Sequence, residues 1–194
     1  MRDFWFYIKL GLYHVLDFSA YDHILFLSAL AIPFTFKHWN KVLLLATVFT
    51  VAHCFSLMLS VYEVVVMDVS LIEFLIPVTI FLTAVFNVIY IKTVQNHRNI
   101  ALHVVATTFF GLIHGFGFSN YFKMLISGAE EKLVPLFGFA TGIEISQVII
   151  VLLMLALAFV VQSVLNVKYH LFVWIASIIV LLITIPLLYQ TFPW

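Results

Sequence analysis

Read for its succession of apolar and polar positions, the chain resolves into long apolar runs separated by short polar hinges. Runs fall at residues 21–36, 42–61, 71–91, 100–126, 133–161 and 171–188. The hinges between them cover residues 37–41, 62–70, 92–99, 127–132 and 162–170. A hydrocarbon layer of about 30 Å is crossed by about 20 helical residues. The pattern therefore predicts an all-α fold, a polytopic transmembrane helix bundle of six spans forming one integral membrane domain over residues 1–194. One further apolar stretch, Phe4–Leu16, is too brief to span alone. It is expected as an interfacial helix, a re-entrant piece or a tilted seventh span.

Composition narrows this reading. Of 194 residues, 64% are hydrophobic and 9% charged, with mean hydropathy +1.17. A water-facing domain carries about a quarter of its residues as Asp, Glu, Lys or Arg, so this chain lacks the side chains to cover such a surface. The bilayer is its first partner. A formal net charge of zero provides no concentrated basic footprint, which argues against nucleic acid as a partner. A homo-oligomer stays open. Cys54 is the single cysteine, which excludes an intrachain disulfide and a cysteine-based metal knuckle. After Met1-Arg2-Asp3 comes an aromatic stretch without a small-residue cleavage site, so the first apolar segment is expected to be retained.

Loop charges orient the bundle. Lys37 and Lys41, then Lys92 and Arg98, then Lys168 occupy every second hinge. The intervening hinges carry Glu63, Asp68, Glu130 and Glu131 against one cation, Lys132. Because cytoplasmic loops are those enriched in Lys and Arg, the basic hinges are expected inside. The C-terminus, with Trp194, is then expected outside.

Ionisable side chains at membrane depth are costly and mark functional sites by default. His14, Asp17, Asp22 and His23 bracket the start of the first full span, His53 lies mid-way along the second, His114 in the fourth and Glu144 in the fifth. With the expected orientation, Asp22 and His23 begin a span running inward from outside, and all of these groups approach one mid-to-outer level. A single intramembrane histidine is as readily an interhelical hydrogen-bonding residue, and Asp22 or Asp17 a helix cap. Three histidines with two carboxylates at one level exceed what packing needs. His38, His97, His103 and His170 lie in or beside basic hinges and are expected to be solvated or interfacial. Gly115 and Gly117 weaken the helix beside His114, and Gly138 with Gly142 forms a small-xxx-small pair permitting close helix approach.

Neutral imidazoles with carboxylates and no thiolate suit Zn(II), Ni(II) or Co(II) rather than Cu(I). Asp22 and His23 stand about 100° apart on an ideal helix. Either one binds while the other orients an imidazole, or a non-helical turn lets both reach inward. Thr50, Ser56, Asn87, Ser119, Asn120 and Gln147 supply further polar lining that supports the site.

Three blocks carry a family resemblance: Gly11-Leu12-Tyr13-His14 with Tyr21-Asp22-His23-Ile24-Leu25-Phe26; Phe49-Thr50-Val51-Ala52-His53-Cys54-Phe55-Ser56-Leu57; and Phe110-Gly111-Leu112-Ile113-His114-Gly115-Phe116-Gly117-Phe118, joined by Gly142-Ile143-Glu144-Ile145-Ser146-Gln147. In these the chain resembles the second subgroup of the HupE/UreJ family of small bacterial membrane proteins. Ser19-Ala20-Tyr21 stands where the family places a glycine before its Asp-His pair. The resemblance implies a multi-pass protein of the bacterial cytoplasmic membrane, acting as a permease or accessory protein for nickel or cobalt. It also implies metal-related roles for His14, Asp22, His23, His53, His114 and Glu144.

Three functions compete. The first is a nickel, cobalt or zinc permease, which lacks any phosphate-binding loop and would therefore be secondary or depend on a separate energising subunit. The second is an intramembrane zinc hydrolase acting on lipid, with Glu144 or Asp22 as general base. The third is a non-catalytic subunit whose polar groups specify packing. The transporter reading is favoured over an enzyme.

Overall fold

A computed structural model describes residues 4–89, 100–127 and 131–193. The 92–99 hinge with Lys92, His97 and Arg98, Glu130 of the 127–132 hinge, and Trp194 lie outside the described residues. Within them the chain is helical and without strands. Its α-helices are α1 (Phe4–Leu16), α2 (Asp22–Ala31), α3 (Trp39–Val61), α4 (Val69–Ile89), α5 (Ile100–Ile126), α6 (Leu133–Phe159) and α7 (Tyr169–Gln190). A 3₁₀ turn, Phe36–His38, leads into α3, and a π-helical segment, Val160–Val164, extends α6. Five of these stretches are long and apolar enough to cross a membrane: Phe36–Val61, Val69–Ile89, Ile100–Ile126, Leu133–Val164 and Tyr169–Gln190.

Residues 21–36, read from the sequence as a full span, contain only the ten-residue helix α2, about 15 Å long at 1.5 Å per residue. The crossing is completed by α1. This helix begins against Gly138 of α6, where a β-carbon would lie 2.8 Å from Tyr7 Cβ. Its far end is tied to the same helix by the Ser146 hydroxyl, which donates to the Leu12 carbonyl at 3.0 Å. The chain then proceeds in the same direction through α2. Asn87 Nδ2 donates to the Ala29 carbonyl at 2.7 Å, Tyr169 donates to the Pro33 carbonyl at 2.8 Å, and Phe36 packs edge-on to Phe159 at 6.1 Å. Residues 4–36 thus cover the depth that α6 covers between Gly138 and Phe159. They form one crossing in two halves.

Local chemistry sets the break. Asp17 Oδ1 accepts the Ser19 amide at 2.8 Å and the Asp17 carbonyl accepts the Ala20 amide at 3.3 Å. Such aspartate turns offer the backbone an alternative to the helix ladder. Helix resumes at Asp22 and ends before Pro33, which has no amide hydrogen to continue the ladder. Asp22 and His23 therefore start the second half of a crossing, inside the bundle. The sequence had placed them at the outer end of a span.

Two parallel pairs frame the interior. In α1 and α6, Gly11, Gly138 and Gly142 bring the backbones together: a β-carbon on Gly142 would overlap the Ile8 carbonyl, and one on Gly11 the Phe139 carbonyl. In α3 and α5, Gly111 lies against Phe49 and Ala52, and Gly115 against His53 and Ser56. Lys132 Nζ donates to the Val61 carbonyl at 3.2 Å and closes one end of the bundle. From there His53 is eight residues along α3, about 12 Å.

Candidate metal centre

Each half of the broken crossing presents a histidine at the break. His14 closes α1, and His23 opens α2. Their rings meet edge to face with centroids 4.6 Å apart. The paired helices α3 and α5 bring His53 and His114 to the same place. His53 lies 5.8 Å from both His14 and His23, and His114 lies 5.2 Å from His23. Four imidazoles from four helices are therefore gathered at one level. His23, His53 and His114 are buried.

Hydrogen bonding divides the ring nitrogens into two sets. His114 Nδ1 lies 2.9 Å from the Phe110 carbonyl, which can only accept, so this nitrogen carries the proton. His23 Nδ1 lies 3.1 Å from Asp22 Oδ1 and donates to the carboxylate in the same way. Asp22 Oδ1 also accepts the His23 amide at 2.9 Å. In the neutral form of either ring, Nε2 then carries the lone pair. Nε2 of His14, His23, His53 and His114, together with His53 Nδ1, are buried without hydrogen-bond partners. An unsatisfied buried polar atom costs about 1–3 kcal/mol, and native structures retain few. Five such nitrogens fall in this one cluster. The Asp22–His23 pair is the carboxylate–imidazole arrangement that orients a metal-bound ring.

As placed, no group of three or more His, Cys, Asp or Glu among the described residues holds the geometry of a metal site. Bonds from imidazole nitrogen to a divalent ion are about 2.0–2.1 Å, so a common ion requires the four rings to turn inward.

Aromatic side chains surround the histidines. Phe118 stacks on Phe139 at 5.1 Å and lies 3.9 Å from His14. Phe49 lies 5.1 Å from His114, and Phe26 5.4 Å from the same ring. Low polarity there strengthens any ion–ligand attraction. Sequence reasoning missed these four phenylalanines as part of the site, because apolar residues in a membrane helix carry no distinguishing signal. Access differs among the polar members. His23 is buried, whereas the Asp22 side chain is 24% exposed and His14 is partly exposed. Both exposed members flank the break.

Glu144 is placed differently. Its Oε1 accepts the Thr47 hydroxyl and its Oε2 the Thr50 hydroxyl, both at 2.6 Å, tying α6 to α3. Asp17 is exposed and spends its carboxylate on the turn. Gln147 is fully buried, and neither of its amide atoms has a partner. Of the other predicted lining groups, Ser56 donates to the His53 carbonyl at 3.0 Å and Ser119 to the Phe116 carbonyl at 2.8 Å, while Asn120 is exposed. His103, near the start of α5, stands partly buried between the rings of Phe34 and Phe86. His170 is exposed beside Tyr169.

Comparison with curated proteins and with solved structures gives no match. The family model described as HupE / UreJ protein matches residues 1–191, essentially the whole chain. That family is associated with nickel and cobalt transport or an accessory role in it. On this match, the chain belongs to the HupE/UreJ family.

Proposed function

We propose that this protein is a secondary permease for a divalent transition metal, with nickel the preferred cargo over cobalt and zinc. The ion is held by the Nε2 atoms of His14, His23, His53 and His114, and Asp22 fixes the ring of His23. One observation carries this reading: four imidazoles with unpartnered buried nitrogens converge where a transmembrane crossing is broken. Transport sites favour such breaks, because irregular backbone at membrane depth needs a polar cavity or protein around it. Under the same proposal the basic hinges face the cytoplasm, the C-terminus lies outside, and the membrane is the bacterial cytoplasmic one. Asp22, whose side chain is 24% exposed, is the first contact for an entering ion.

Uptake of radioactive nickel, cobalt or zinc into proteoliposomes tests the proposal. Saturable nickel flux that is lost on substituting His23 and His114 is the expected result. Stoichiometric binding without flux of any of the three ions overturns the permease reading and leaves a static metal centre, as a hydrolase would have.

Two substitutions separate the roles of the carboxylates. Asp22→Asn keeps the shape but weakens the hold on His23 Nδ1, and is expected to lower metal affinity about 10- to 100-fold. Glu144→Gln leaves the imidazoles untouched. Because both Glu144 oxygens are occupied by threonine hydroxyls, its metal affinity in isothermal titration is expected to match the parent within about threefold, well under the 1.4 kcal/mol that marks a tenfold change. A loss as large as that of Asp22→Asn places Glu144 among the ligands.

A further inference from the structure

A cavity of about 310 Å³ lies between α2, α4 and α5, on the opposite side of Phe26 and Phe110 from the four clustered histidines. Its long axis follows the helices. Ile89, the last residue of α4, and Leu102, near the start of α5, lie at one end. Leu82 and Phe110 lie farther in, and seven or eight residues of helix give a length of about 10–12 Å. Its mouth opens sideways between membrane-spanning helices, where Leu82, Ile89 and Leu102 are 51%, 65% and 57% exposed. Its closed end is Phe26, which is fully buried and packs on Phe110 at 6.0 Å and on His114 at 5.4 Å.

The walls are mostly apolar; their polar members are Thr83, Asn87, Thr107 and His103, whose ring stands between those of Phe34 and Phe86. The Thr83 hydroxyl donates to the Thr79 carbonyl at 2.8 Å, and Asn87 Nδ2 donates to the Ala29 carbonyl at 2.7 Å. A hydrated cation finds few ligands here. A slot that begins at the helix ends, runs with the helices towards mid-depth and opens to hydrocarbon has the shape and polarity of one lipid tail.

We propose that this slot is a lipid site that takes one acyl chain of a phospholipid from the leaflet on the Ile89 and Leu102 side, with the chain end resting on Phe26 and Phe110. The tail thereby contacts the outer wall of the histidine cluster, including the residue whose carbonyl holds His114 Nδ1. This site is independent of whether the protein transports metal.

The test uses the full chain in phosphatidylcholine bilayers doped with a phospholipid carrying a photoactivatable diazirine near the end of one acyl chain, with labelled residues mapped by mass spectrometry. Leu30, which is buried, and Ala106, which is partly buried, line the slot. The exposed Val105 reports bulk lipid. Labelling of Leu30 and Ala106 at least as strong as that of Val105 is expected. Ala106→Trp fills the slot and should remove most of the label at Leu30 while sparing Val105. Ala106→Leu, a milder filling, should remove part of it. Label at Val105 with none at Leu30 or Ala106 in the parent protein overturns the proposal without need of a variant. Unchanged label at Leu30 in a folded Ala106→Trp or Ala106→Leu protein overturns it equally.

Discussion

Replacing His53 by alanine is expected to lower the affinity for nickel or zinc by roughly 10²- to 10³-fold. Structural zinc sites release about 10–16 kcal/mol over four ligands, so one lost nitrogen is worth about 2.5–4 kcal/mol, and each 1.4 kcal/mol is a factor of ten. His53 is the strongest choice for this experiment because both of its ring nitrogens are buried without partners. If its role were packing alone, alanine would relieve two unsatisfied atoms, and its stability cost would come only from the cavity left behind. Isothermal titration together with thermal melting separates the two effects. Metal affinity is expected to collapse while the melting temperature without metal changes little or rises. A variant that melts much earlier yet binds metal as before assigns His53 to packing.

The second large effect is on stability. Gly115→Ala places a methyl group where it would overlap the Ser56 hydroxyl and the His53 carbonyl. The carbonyl is backbone and cannot swing away, so α5 must separate from α3. Overpacking of this kind costs about 1–3 kcal/mol and occasionally more. Gly111 raises the cost, because a β-carbon there meets Ala52 Cβ at 2.9 Å and the two helices are already at closest approach along this face. The substitution also carries His114 away from its neighbours, so metal binding is expected to fall with stability. A size-exclusion profile and melting curve of the purified variant check the first effect, and metal content checks the second. A normally folded Gly115→Ala protein with full metal content contradicts the packing described for α3 and α5.

Much of the architecture was legible because hydropathy along a membrane chain is a strong signal. The five long apolar helices lie where apolar runs lie, and the Gly138–Gly142 spacing announced a close helix contact. The partner in that contact was not legible. It is α1, a helix of thirteen residues, too short to span alone and not read as half of the first span. The break after it was hidden for a related reason: residues 17–21 contain Phe18, Ala20 and Tyr21 with neither Gly nor Pro, and only the Asp17 turn interrupts the helix. Without the break, Asp22 and His23 read as the outer mouth of a span rather than the middle of a composite one.

Glu144 shows what spacing alone leaves open. It follows Ile143, which is fully buried on the α6 face that meets α1, and successive residues point about 100° apart. That turn aims Glu144 at the threonines of α3. Its azimuth depends on which face of α6 the glycines commit to α1, which spacing along the chain does not carry.

X-ray absorption at the nickel edge of the metal-loaded protein tests the central claim most directly, because outer-shell scattering from ring carbons counts imidazoles around the ion. Nitrogen ligands with scattering from at least three imidazoles, one of them lost in His53→Ala, is the result predicted here. A shell of oxygen atoms without imidazole scattering, unchanged in His53→Ala, would contradict it.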